Sequence, residues 1–227
     1  MPLRAVVAVE EAEAVSDRAE RTVRALCEHP LLDATWSRYD GGQPGPDPHV
    51  HHEHVDAFYV VEGELQVRVG PAVEPVRAPA GTFVLVPPNV IHTFDNVSDA
   101  TARWLNFHAP STGFLAYLRG EREGFDSYDP PPDGGRDAAD ATIAAPDTRG
   151  QLGREPQFQV IELELAPGSE PERQSGIDGV ETFFVLDGEV ELGDERRGPG
   201  TWIAAPEILR NPGPNHARLL HILAPAT

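Results

Sequence analysis

The chain has 227 residues, enough for one large or two small domains, and 40% of them are hydrophobic, as in an ordinary globular protein. Its formal net charge of −19, from 37 acidic and 18 basic residues, would repel a phosphate backbone and argues against nucleic-acid binding. The single Cys27 excludes an internal disulfide and a thiolate-rich zinc site.

No apolar run approaches the roughly 20 residues that a membrane helix needs. The sequence around MPLRAVVAVEE lacks a basic region ahead of a long apolar core, which argues against a secretory signal. We therefore expect a cytoplasmic protein that does not bind a membrane. Cys27 is expected to be a small, partly buried residue and not a nucleophile.

Residues 1–34 are predicted to form an N-terminal segment that packs on the rest of the chain. Within them, residues 10–28 have weak helical character, because apolar residues recur at a helical spacing. The run TVRAL, residues 22–26, could equally be a first strand. Both alternatives remain open from the sequence.

Three pairs of segments recur in the same order, which indicates an internal duplication. Each segment is short, rich in Val, Phe, Tyr, Ile and Leu, and bounded by Gly, Pro or Asn, as strands are. The EGE and DGE sequences around Gly63 and Gly188 are predicted to be hairpin turns. Antiparallel strands in this number favour sandwiches or closed barrels. The paired segments are 56–67 with 181–192, 79–96 with 198–213, and 102–110 with 217–225.

Residues 111–150 connect the two repeats. The sequence STGFLAYLRG is predicted to contain a short helix. The sequence that follows, FDSYDPPPDGGRDAAD, is acidic, rich in Pro and Gly, and predicted to be irregular. Such a connector is either a plain linker or a flap over a barrel mouth.

Histidines and one carboxylate in the first repeat form a candidate metal site. His49 and His51 are two residues apart, so in a strand both imidazoles point to the same face. His92 lies in another strand-like run that a closed sheet can bring opposite this pair. Asp56 begins the strand after the turn. Three imidazoles and a carboxylate suit Fe, Mn, Ni, Zn or Cu as divalent ions.

The spacing of these residues resembles the two motifs of the cupin family. His49-x-His51 is followed by four residues, Asp56, six residues and Gly63, in the order of the first motif. Three features depart from the family pattern: the opening Gly of the first motif is displaced, Asp56 replaces Glu, and Asn89 replaces the central Gly of the second motif. The second motif is otherwise matched by Gly81, Pro87, His92 and Asn96.

The resemblance implies an all-β fold of two tandem cupin (jelly-roll) barrels, a bicupin. Residues 35–110 would form a metal-binding barrel, 111–150 the connector or flap, and 151–227 a degenerate barrel. It also implies one divalent transition metal per chain, bound by His49, His51, Asp56 and His92. The shorter Asp56 could coordinate directly, act through water, or orient a histidine.

The remaining histidines of the first repeat are expected to be peripheral. His52 and His54 are expected to be solvated in the turn, with a substitute metal ligand or a proton shuttle as the alternative for either. His108 is expected to be a hydrogen-bonded structural residue, with a place in the pocket as the alternative. Aromatic residues are expected to be mostly core, with one or two shaping a pocket: Phe58, Tyr59, Phe83, Phe94 and Trp104.

The second repeat is predicted to bind no metal. The positions that correspond to the three histidines are Gln174, Gly176 and Asn211, while Glu181 corresponds to Asp56. One carboxylate without imidazoles does not hold a transition metal at ordinary concentrations.

Similarity to the cupins leaves three functions open, because one fold hosts many chemistries. The first is a dioxygenase of the quercetinase type acting on a small apolar or aromatic molecule, with Asp56 as ligand or catalytic base. The second is a non-redox isomerase or lyase on a sugar or oxoacid. The third is a binding cupin without turnover. A homodimer is also expected, because edge strands need cover.

Overall fold

The structure, a computed structural model, describes residues 6–71, 75–172, 178–204, 206 and 208–226. These residues are predominantly in strands, with one short helix, α1 (Phe114–Leu118), and two single turns of 3-10 helix at Val9–Glu11 and Ala138–Asp140. The fold is the all-β jelly-roll that the sequence predicts. Two compact units divide the chain: a leading unit of residues 13–147, and a trailing unit of residues 6–12 with 148–226.

The leading unit contains a seven-stranded and a three-stranded sheet. The larger sheet has the order β11-β8-β5-β10-β4-β3-β2, and the smaller has the order β7-β6-β9. Its strands are β2 (Glu13–Arg18), β3 (Arg21–His29), β4 (Leu32–Tyr39), β5 (Val55–Glu62), β6 (Glu64–Val69), β7 (Val76–Pro79), β8 (Phe83–Val86), β9 (His92–Asp95), β10 (Ala102–Ala109) and β11 (Thr142–Ala144).

The core of the leading unit lies between these two sheets. Phe58 and Trp104 from the larger sheet pack in one cluster with Leu65, Val67 and Phe94 from the smaller one. Along β6 the side chains alternate between buried and half-buried, as they must when one face of a sheet covers a core. Full burial of one such large apolar side chain stabilises the fold by roughly 1.5–3 kcal/mol.

The trailing unit repeats this topology. Its larger sheet has the order β1-β17-β14-β18-β13-β12, and β15 pairs with β16. The order β17-β14-β18-β13 corresponds strand for strand to β8-β5-β10-β4, which confirms the internal duplication. Its strands are β1 (Val6–Ala8), β12 (Gly150–Glu155), β13 (Phe158–Leu165), β14 (Gly179–Asp187), β15 (Val190–Leu192), β16 (Glu195–Arg197), β17 (Thr201–Ala204) and β18 (Ala217–Pro225).

Gly63 and Gly188 are corners and not the hairpin turns that their sequences predict. The strand before Gly63, β5, pairs with β8 and β10, whereas the strand after it, β6, pairs with β7 and β9. Gly63 therefore carries the chain from one sheet to the other. Its φ is +74°, and a Cβ there would lie 2.4 Å from the carbonyl oxygen of Thr101. Gly188 has the same conformation, with φ +76°.

The N-terminal residues are strands, so the helical alternative for residues 10–28 is wrong and the strand alternative is correct. β2 and β3 pair antiparallel and complete the larger sheet of the leading unit.

The two compact units begin and end at other residues than the predicted segments do. Residues from Glu13 onward belong to the leading unit, and the short strand β1 pairs with β17 of the trailing unit.

The connector is partly ordered. It contains the expected short helix, α1, and also β11, which pairs with β8 at the edge of the larger sheet. Across the described part of the chain, no helix has the length and hydrophobicity to cross a membrane.

Candidate metal centre

The structure brings the four predicted ligand residues together in the leading unit. His49 and His92 face each other across a single antiparallel bridge, with backbone N–H···O distances of 3.1 and 3.0 Å. The ring centroids of His49, His51 and His92 lie 4.5–5.0 Å apart. One potential ligand atom from each imidazole and from the Asp56 carboxylate lies within 4.8 Å of every other. His51, Asp56 and His92 are each 2–3% exposed.

A hydrogen bond to a backbone carbonyl fixes the tautomer of each imidazole. The Nδ1–H of His49 donates to Asp47, that of His92 to Val90, and that of His51 to Asp126. A carbonyl oxygen only accepts, so in the neutral rings the proton is on Nδ1 and the lone pair is on Nε2. All three Nε2 atoms are therefore prepared as metal ligands.

Asp56 carries the negative charge of the cluster. Its Oδ2 lies 3.2 Å from Nε2 of His92 and 3.6 Å from Nε2 of His51, and its Oδ1 lies 3.3 Å from Nε2 of His108. Burial would raise the pKa of Asp56, but His108 beside it outweighs this effect and holds the pKa well below its usual range. The side-chain amide of Asn106 also donates to Oδ1 and so orients the carboxylate.

Asp126 organises the turn between His51 and Asp56, and no pattern in the sequence predicts this role. Its Oδ1 accepts from the amide N–H of His52 at 3.0 Å, and its Oδ2 accepts from those of Glu53 and His54 at 2.7 and 3.2 Å. Oδ2 also accepts from Nδ1 of His54 at 2.8 Å. Burial would raise the pKa of Asp126, but these donors hold it well below its usual range.

The expectation that His54 is solvated is wrong. Its side chain is fully buried beside the cluster, stacked on His51 with ring centroids 3.9 Å apart. Burial lowers the pKa of His54 to about 3, despite the opposing effect of Asp126. His52 is exposed, as expected, with Nδ1 2.6 Å from Oδ1 of Asn89.

His108 fulfils both of its sequence alternatives, since it contacts Asp56 and lines the cavity.

The backbone conformation of Asn89 explains why Asn can stand where the cupin motif has Gly. Its φ is +66°, a left-handed conformation that Asn tolerates better than other non-glycine residues. The turn before His92 therefore keeps the backbone shape that Gly supplies in the family motif.

A cavity of about 330 Å³ opens onto the cluster. His49, His51 and Asp56 contribute to its wall, and aromatic residues supply much of the remainder. Three of those aromatics come from the connector, which is therefore part of the site and more than a plain linker. The aromatic lining residues are Tyr39, Phe94, Trp104, Phe114, Tyr117 and Phe125.

The corresponding part of the trailing unit is built differently. Nε2 of His221 lies 2.8 Å from Oε1 of Glu181, and Asn211 donates its side-chain amide to the carbonyls of Leu165 and Asn215. Gln174 and Gly176 lie outside the described residues. That the trailing unit binds no metal remains a prediction.

Cys27 has no properties of a nucleophile. It is buried, and burial, with Asp33 and Glu28 adding to it, raises the pKa of its thiol to about 12. The thiol is therefore protonated at neutral pH and unreactive.

Comparison with known proteins agrees with this architecture. Residues 35–108 match the family model for the cupin domain. This segment is therefore a cupin domain. No curated protein sequence matches this chain.

Solved structures share the fold over nearly the whole chain. The bacterial pirin YhhW from Escherichia coli in complex with nickel(II) superposes with a TM-score of 0.68 at 12% identity, covering 98% of this chain and 99% of that one. The formate complex of Lactobacillus farciminis oxalate decarboxylase gives 0.65 at 10% identity, with 99% and 87% covered. A cupin 2 conserved barrel protein from Leptotrichia buccalis gives 0.60 at 9%, with 99% and 98% covered.

The residues present fit a divalent cation. Nε2 of His51 is buried and, within the described residues, has no hydrogen-bond donor for its lone pair. An unpaired buried acceptor is costly, and a cation removes that cost. The cluster and the cupin fold together support a divalent metal without identifying the element.

Proposed function

We propose that this cupin is a metal-dependent dioxygenase of the quercetinase type that acts on a small aromatic molecule in its leading unit. One observation carries the proposal. The cluster of three imidazoles and a carboxylate contributes His49, His51 and Asp56 to the wall of a cavity that six aromatic residues also line.

His49, His51 and His92 would hold the metal through Nε2, with Asp56 as the fourth ligand. When bound, the metal would supply a site for O2 and a Lewis acid for the substrate oxygen. Asp56 is ionised, so it lowers the net charge of the loaded site. It is also the proposed acceptor of the substrate hydroxyl proton.

The cavity supports an aromatic substrate by shape and by chemistry. Its volume is within the usual range for small-molecule sites. Phe94 and Trp104 pack edge to face, with ring centroids 5.4 Å apart, and Phe114 and Phe125 lie 5.1 Å apart. Such walls exclude water and favour flat apolar molecules by stacking.

Oxygen consumption tests the proposal directly. Protein loaded separately with Fe, Mn, Ni and Cu is mixed with a panel of flavonols and catechols in an oxygen electrode cell. We expect substrate-dependent O2 uptake with at least one metal, loss of uptake on chelation, and loss in His92→Ala. His52→Ala is the matched control, because His52 is an exposed histidine of the same turn, and it should retain the rate. Absence of uptake with every metal would reject the dioxygenase.

A second candidate is a non-redox lyase or isomerase on an oxoacid. The observation that favours it is Arg21, a cation in the cavity wall that lies over the ring of Tyr39 at 4.7 Å and can pair with a substrate carboxylate. In this case zinc-loaded protein should convert oxoacids without oxygen, and Arg21→Gln should raise KM more than it lowers kcat.

The homodimer and the cytoplasmic location remain predictions. Light scattering should give a mass of about twice the 24.6 kDa of one chain if the homodimer forms. A mass of one chain would reject it.

A further inference from the structure

A second cluster of imidazoles lies beside the first. His51, His54 and His108 are all buried, and one potential ligand atom from each lies within 4.8 Å of the others. The ring centroid of His54 lies 3.9 Å from that of His51 and 4.7 Å from that of His108. No aspect of the proposed dioxygenase uses His54.

His54 has the hydrogen bonding of a metal ligand. Its Nδ1–H donates to the ionised carboxylate of Asp126, as metal-ligating histidines commonly donate to a carboxylate behind them. Its Nε2 carries the lone pair and is buried, and within the described residues it has no hydrogen-bond partner. Nε2 of His51 is in the same condition. His51 and His54 thus stack on each other, and each has a buried Nε2 acceptor without a partner among the described residues. This arrangement points to a cation that both bind.

We propose that His51, His54 and His108 form a second metal position, which selects imidazole-preferring ions such as Cu²⁺ and excludes simultaneous occupation of the first. The exclusion follows from His51, which belongs to both clusters and has a single available lone pair on Nε2.

The two positions differ in ligand chemistry. The first offers three imidazoles and a carboxylate, and the second offers three imidazoles alone. Imidazole suits Cu²⁺, Zn²⁺ and Ni²⁺, whereas oxygen ligands favour Mn²⁺. Without an anionic ligand the second position holds an ion less tightly than the first. The second position is therefore expected to bind Cu²⁺ when Cu²⁺ is supplied and the first position has lost ligands.

The test uses Cu²⁺ and the full-length double variant His49→Ala/His92→Ala. This variant leaves the first position with one imidazole and one carboxylate, and leaves the second position complete. We expect it to bind about one Cu²⁺ per chain, with an electron paramagnetic resonance spectrum that shows coupling to three nitrogens. A single coupled nitrogen, or the absence of binding, would overturn the proposal.

Two further substitutions in this background sharpen the test. Adding His54→Gln should weaken Cu²⁺ binding by at least ~10-fold, since losing a ligand costs no less than losing an outer hydrogen-bond partner. Adding His52→Ala, the exposed neighbour, should leave binding unchanged. Equal effects of the two substitutions would also overturn the proposal. The nitrogen count is measured on the double variant, so it stands even if His54→Gln disturbs folding, and neither readout depends on the proposed enzyme activity.

Discussion

The carboxylate of Asp126 accepts hydrogen bonds from three backbone amides and one imidazole, and its backbone carbonyl accepts one from His51. Asn at this position keeps the size but replaces one acceptor oxygen with a donor, so either Oδ1 or Oδ2 contacts must be lost. We expect Asp126→Asn to weaken metal binding by about 10–100-fold, as the loss of partners behind metal ligands does elsewhere. Calorimetric titration with Ni²⁺ measures the change.

The matched control for this substitution is Asp129→Asn, an exposed aspartate of the same segment. It should leave the affinity for Ni²⁺ unchanged. If Asp126→Asn binds Ni²⁺ as tightly as wild type, the proposed role of the connector in the metal centre is wrong.

Two residues of the centre also make folding sensitive to acid. Burial lowers the pKa of His49 to about 4 and that of His54 to about 3. In the unfolded chain both imidazoles take up protons near pH 6.5, so acid favours the unfolded state before it protonates the folded one. For metal-free protein we expect the urea midpoint to fall steadily between pH 7 and pH 4. His54→Gln should reduce this fall, and an identical pH dependence in that variant would contradict the assignment.

At the scale of elements, a side chain at Gly63 would destabilise the fold in two ways: through its left-handed backbone conformation and through a clash with neighbouring backbone atoms. Gly42 and Gly63 have nearly equal φ values of +73° and +74°, but only Gly63 has backbone atoms in the space of a Cβ. Gly42→Ala should lower the free energy of unfolding by about 1–2 kcal/mol, the cost of a left-handed residue. Gly63→Ala should cost clearly more, because the approach to Thr101 adds to it. Equal losses in urea unfolding would show that the corner has room to relax.

The elements that could be predicted are those with a pattern of their own. The blocks that became β5, β8, β10 and β14 are runs of apolar residues, and the motif spacing located His49, His51, Asp56 and His92. Short strands such as β1 and β11 have three residues each, too few to show a period. The weak helical spacing of residues 10–28 did not prevent strand formation, because pairing with β4 completes the sheet.

Asp126 and His54 could not be predicted for a related reason. Asp126 lies 72–75 residues from its partners, in a segment without periodicity, so only the folded chain shows the contact. His54 follows a bend at which the alternation of strand faces no longer applies. Its burial depends on that same distant carboxylate.

At the scale of the whole molecule, the trailing unit depends on residues that precede the leading one. Val6, Val7 and Ala8 pair with Ile203, Trp202 and Thr201, and Val7 is buried. Removing residues 1–9 should therefore increase amide hydrogen exchange in β17 while leaving β8 of the leading unit unchanged. Unaltered protection in β17 would show that β1 is dispensable.

The metal content of the purified protein tests the central claim most directly. Wild type, His92→Ala and His52→Ala are purified without an affinity tag, dialysed against metal-free buffer and measured by elemental analysis. A site of three imidazoles and one carboxylate in the leading unit predicts about one transition-metal ion per chain in wild type and His52→Ala. It predicts almost none in His92→Ala, because no Cu²⁺ is supplied and dialysis empties the more weakly binding second position. Equal metal in wild type and His92→Ala would contradict the site, and about two ions per chain in wild type would contradict the metal-free trailing unit.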